Sequence, residues 1–102
     1  MFRRRRFREV IERQLGFFVQ DDSDLLDDVD RALEKYDRAD RDEAEELYGD
    51  YQLAIEAATD RLAELRDTYA RTLEELDAEQ YESEFNRAVV ERWRDLGLTI
   101  ET

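Results

Sequence analysis

The stretch AEELYGDYQLAIEAATDRLAELRDTYARTLEEL, residues 44–76, decides how the rest of the chain is arranged. Ala44, Tyr48, Tyr51, Ile55, Ala58, Leu62, Leu65, Tyr69, Thr72 and Leu76 follow one another in it at alternating steps of four and three. On a helix this spacing draws a single stripe along one side, the pattern of a helix packed over its whole length against another helix. It predicts one long helix over residues 41–76, which at 1.5 Å per residue spans about 54 Å. A compact domain of this size is narrower than that, so the molecule is expected to be elongated.

The surrounding composition agrees with an all-α reading. The chain has 102 residues, of which 44% are charged and 41% hydrophobic, with three glycines and no proline. Such a mixture suits amphipathic helices and lacks the turn residues that strands need. A length of this order supports one domain with one core, so residues 1–102 are read as a single helical domain. The net charge is −13, but the apolar residues are too regularly spaced for a disordered chain.

Outward from the stripe, helix two is expected over residues 23–38. Leu26, Val29, Leu33 and Tyr36 repeat the stripe there, and Asp and Ser around residue 22 suit a helix start. Asp40 and Glu43 form a capping-box pattern that places a turn at 39–41. After Leu76 the stripe positions become Glu79 and Ser83, and a second capping-box pattern, Asp77-Ala-Glu-Gln80, marks a turn or kink. Helix four then carries Tyr81, Phe85, Ala88, Val89 and Trp93 and is expected to end near Leu96, with Gly97 as the left-handed residue beyond it. Helices two and four together match helix three in length, so each is expected to lie antiparallel over one half of it. The whole is an elongated antiparallel bundle of about four helices, built on one long central helix with coiled-coil-like packing.

Residues 1–19 differ in kind. They carry six arginines against Glu9 and Glu12, a local charge of +4, while residues 20–102 form an acidic body. Phe7, Val10, Ile11, Leu15 and Phe18 share one helical face, so the segment reads as a basic amphipathic helix. Arginines in a first turn oppose the helix dipole and need an anionic partner. Three answers are open: the acidic body of the same protein or a second copy, an anionic lipid surface, or a phosphate backbone. The acidic body disfavours nucleic acid, because phosphate is repelled by it. The candidate interaction surface is therefore Arg3, Arg4, Arg5, Arg6, Phe7, Arg8, Val10, Ile11, Leu15 and Phe18.

Several chemistries find no residues to run on. Cysteine and histidine are absent, which removes the thiol nucleophile, the imidazole base and the usual zinc ligands, as well as the Glu-x-x-His pairs of a di-iron bundle. Ser23 and Ser83 have no imidazole to activate them. The isolated Gly16, Gly49 and Gly97 build no phosphate loop. Carboxylates such as Glu75 and Glu79 read as a solvated helix face. No catalysis and no cofactor are expected. No apolar run of signal-peptide or membrane-spanning length appears, so a cytoplasmic location is expected. Leu47, Leu53, Ala54 and Leu73 lie off the main stripe and still want cover, from helix one or from a second copy. The function expected is a protein-protein interaction or assembly module, with a homodimer as the form of assembly. The alternative is a peripheral membrane-surface protein held by helix one.

Overall fold

A computed structural model describes residues 6–101, and among them the chain forms five helices and no strand. They are α1 (Arg8–Asp21), α2 (Ser23–Asp37), α3 (Ala44–Ala70), α4 (Glu75–Arg92) and α5 (Arg94–Ile100). The molecule measures 50 × 24 × 22 Å, so the bundle is elongated.

The central helix α3 sets the long axis. α2 lies antiparallel along its N-terminal half: the Tyr36 and Tyr48 rings meet at 5.3 Å at one end, and Asp22 pairs with Arg61 toward the other. α4 lies antiparallel along its C-terminal half, where Arg66 donates to the Asn86 side-chain oxygen and the Tyr69 and Tyr81 rings stand 4.8 Å apart. α1 runs beside α4 in the same direction. Phe7 meets Tyr81 edge-on at its start and Phe18 meets Trp93 edge-on at its end. The short α5 turns back against α3, where Tyr51 donates to Asp95.

Burial follows this arrangement. Phe7, Ile11, Leu15 and Phe18 meet Ala58, Leu62, Tyr81, Phe85 and Val89 in one core, which Leu96 and Ile100 extend. α2 contributes no fully buried residue; Leu25, Leu26 and Val29 are half-buried against that core. α3 thus packs against α2 and α5 along its N-terminal half and against α4 along its C-terminal half; its burial is deepest at Ala58 and Leu62 and thins toward Tyr48.

The fold class follows the stripe, and its boundaries are corrected. Helix three begins at Ala44 and ends at Ala70 rather than reaching from 41 to 76, so at 1.5 Å per residue it is about 40 Å long. Leu76 leaves the stripe and is 79% exposed. The cause lies at residues 71–74, where the amides of Thr72 and Leu73 bond back three residues to Tyr69 and Ala70 and the Thr72 hydroxyl donates to the Tyr69 carbonyl. Such three-residue bonds tighten and close a last turn, and a β-branched hydroxyl residue competes for the helix carbonyls there. Glu74 is extended, and α4 starts immediately after it. The Asp77-Ala-Glu-Gln80 pattern therefore falls inside the first turns of α4 and marks no break.

Capping is also carried differently. None of α2, α3 or α4 has a side-chain bond at its N-cap. Asp40 and Glu43 are joined through the backbone, with the Glu43 amide donating to the Asp40 carbonyl at 3.1 Å. Acidic residues in the first turns, Asp24, Glu45, Glu46, Glu75 and Asp77, still complement the helix dipoles.

Gly97 has another role than the one its position suggests. The helix breaks at Trp93, whose backbone is extended, and Gly97 sits buried within α5 with no positive φ. A Cβ at Gly97 would lie 2.4 Å from the Val90 Cα, so glycine is what lets α5 cross α4 backbone to backbone. Gly49, inside α3, has open space around it instead.

Candidate interaction surface

Each residue of the basic N-terminal segment now has a place. Phe7, Ile11, Leu15 and Phe18 are inside the core and Val10 is half-buried against it, so the apolar face of α1 is docked. Arg6 pairs with Asp77 at 2.6 Å and lies over the Phe7 ring. The Phe7 amide donates to the Glu84 carboxylate at 3.1 Å, which gives the start of α1 the anion its dipole needs. Arg8 bonds Glu12 on its own helix. Arg3, Arg4 and Arg5 lie outside the described residues. The candidate set is thus divided: its apolar members hold the fold together, and the described arginines face acidic side chains of the same chain.

Tyr81 shows how tightly α1 is seated. It is fully buried among Phe7, Tyr69 and Phe85, and its hydroxyl donates to the Gln14 side-chain oxygen at 2.7 Å. Burial pushes its pKa up to about 12, and the Gln14 bond pulls in the opposite sense.

The open grooves are poorly suited to chemistry. One of about 320 Å³ between α1 and α4 is rimmed by Arg8, Glu12, Glu84, Arg87 and Glu91, so opposite charges nearly cancel across it. Among the described residues no three acidic side chains gather as metal ligands, and no helix is long and apolar enough to cross a membrane.

The surface that does stand out lies at the thin end of the bundle. Leu33 and Tyr36 are one helical turn apart on α2. Tyr36 touches Tyr48, whose ring is 6.4 Å from that of Tyr51, and Tyr51 reaches Asp95 of α5. Leu98 is one turn from Asp95. Leu33 and Tyr48 are 37% and 45% exposed and Tyr36 and Tyr51 half-buried, so a partly open run of large side chains crosses from α2 to α3, while Leu98 of α5 is 55% exposed. The Tyr51 hydroxyl has its pKa pushed far above the ordinary tyrosine range, first by burial, then by its bond to Asp95, with the Asp95, Tyr48 and Asp37 charges adding to it.

No known protein family, characterised protein or solved structure matches the chain. The row of leucines and tyrosines was missed by the reading of the sequence. Tyr48 and Tyr51 sit on the central stripe, where periodicity assigns them to the interior. The signal available was position: Tyr48 lies one turn from the start of α3, beside the charged run Asp40 to Glu43, which brings little apolar cover.

Proposed function

We propose that the protein is a non-catalytic helical module that binds another protein through the uncovered end of the α2–α3 pair. The observation that carries this reading is the run Leu33, Tyr36, Tyr48 and Tyr51 across α2 and α3, in which the tyrosine rings follow one another and Leu33 and Tyr48 are exposed. Aromatic side chains on rigid helices suit a protein interface, because they bring large contact area at small entropic cost. A soluble chain leaves such a row open only at a cost in self-association, and a partner removes that cost. The lipid-surface reading needs α1 to leave the core, since Phe7, Ile11, Leu15 and Phe18 are its apolar face.

The experiment is site-specific photo-cross-linking in the native cell. A cross-linker at Tyr48 is expected to give one discrete adduct, whereas one at Leu76, an apolar and still more exposed residue at the start of α4, is expected to give none. Equal labelling from both positions, or none from Tyr48, contradicts the reading. An adduct at twice the mass of the chain identifies a homodimer as the assembly.

A further inference from the structure

We infer that the segment bound on this row is a cationic amphipathic helix of another protein, its aliphatic side chains seated on Leu33, Tyr36 and Tyr48 and its arginines or lysines on the surrounding carboxylates. This rests on the interaction reading above and adds the chemistry of the partner.

Charge decides the occupant. The charged side chains three or four residues from members of the row and from Leu98 are Asp30, Asp37, Asp40, Glu45, Asp95 and Glu101, against Arg94 alone. The wider region is as one-sided: residues 21–50 hold fourteen acidic and four basic residues, a net charge of −10. A symmetric contact with a second copy sets two such ends against each other, because a two-fold interface uses the same patch twice. Like charges facing across an interface oppose its formation. Anionic lipid and nucleic acid meet the same repulsion. A cationic helix meets attraction from every side. A guanidinium also stacks on a tyrosine face while binding a carboxylate, and the Tyr51 hydroxyl lies on the Asp95 carboxylate. The shape agrees: the rings of Tyr36, Tyr48 and Tyr51 follow one another from α2 onto α3, and an apolar helical stripe at three- and four-residue spacing lies along such a run.

The test uses the full chain and two synthetic peptides. One carries leucine at three- and four-residue spacing with arginine elsewhere; the other replaces every arginine with glutamate. Fluorescence anisotropy is expected to show binding of the arginine peptide alone. The variant Leu33→Ser with Tyr48→Ser, both exposed and so folded by circular dichroism, is expected to weaken it about tenfold, as loss of central apolar anchors does. Leu76→Ser is expected to leave it unchanged. Equal binding to all variants overturns the proposal, since attraction to total charge then explains everything. Binding of the glutamate peptide, or of neither, also overturns it, and so does a dimer in sedimentation that the double variant dissolves. In those cases a discrete adduct from Tyr48 keeps the interaction reading while the cationic partner falls.

Discussion

The two halves of α3 carry the same four-three stripe and meet different fates. Around Leu62 and Ala70 the stripe is enclosed by α1 and α4, and Leu62 is fully buried. Around Tyr48 and Tyr51 it faces α2 and α5, and Tyr48 is left exposed. Periodicity along one helix therefore specifies which side chains face inward, and tertiary cover determines whether inward means buried. In this chain cover separates the buried middle of α3 from its more open start.

The sharpest way to break that comparison is truncation along the stripe. Leu62→Ala is expected to cost about 2–5 kcal/mol, the range for a buried leucine whose neighbours cannot collapse into the void. Leu33→Ala on the open row is expected to stay within about half a kcal/mol, as exposed positions do. Chemical denaturation of both variants checks this, and similar losses would mean that the open end is as well packed as the core.

Next in size is the crossing of α5 over α4. Gly97→Ala places a methyl group against the Val90 backbone, and overpacking of this kind costs about 1–3 kcal/mol. Gly49→Ala has open space and a helical backbone, so it is expected to raise stability by about 0.5–1 kcal/mol. Opposite shifts in melting temperature are the result to look for.

These glycines show how far the sequence could be read. The long helix, its antiparallel neighbours and the shared apolar face of Phe7, Ile11, Leu15 and Phe18 follow from apolar spacing, because a 3.6-residue repeat states a direction for each side chain; what that face docks on was left open by the sequence. Gly97 was misread because a glycine near a helix end and a glycine under a crossing helix look alike until the partner is in place. The break at 71–74 was placed too late because Leu76 keeps the stripe in register beyond it. The open tyrosine row depends on tertiary cover, which no local pattern records.

A pH titration sharpens the same contrast. The Tyr81 hydroxyl titrates near 12 in the folded chain against the ordinary 10.0, so the folded state holds its proton more tightly than the unfolded state. The stability this contributes is complete below pH 10 and is lost as the pH rises toward 12. Tyr81→Phe is expected to lower stability at neutral pH by about 1–3 kcal/mol, by leaving Gln14 without its donor, and to flatten the alkaline loss. An unchanged alkaline slope would place the titrating group elsewhere.

Smallest in free energy is the salt dependence. At a net charge of −13 the acidic surface repels itself, and ions screen that repulsion over about 8 Å at physiological strength. The melting temperature is expected to rise from low to moderate sodium chloride. A fall would assign more stability to surface pairs such as Arg6 with Asp77 than exposed pairs ordinarily supply.

Amide hydrogen exchange followed segment by segment tests the unequal cover most directly. Protection free energy reports local opening, and thinly packed helices open before the whole molecule does. Slow exchange is predicted for residues 58–70 of α3 and 81–89 of α4, with faster exchange through α2 and residues 44–54 of α3. Uniform protection along the whole of α3 and α2 would contradict the division of this bundle into a packed half and an open one.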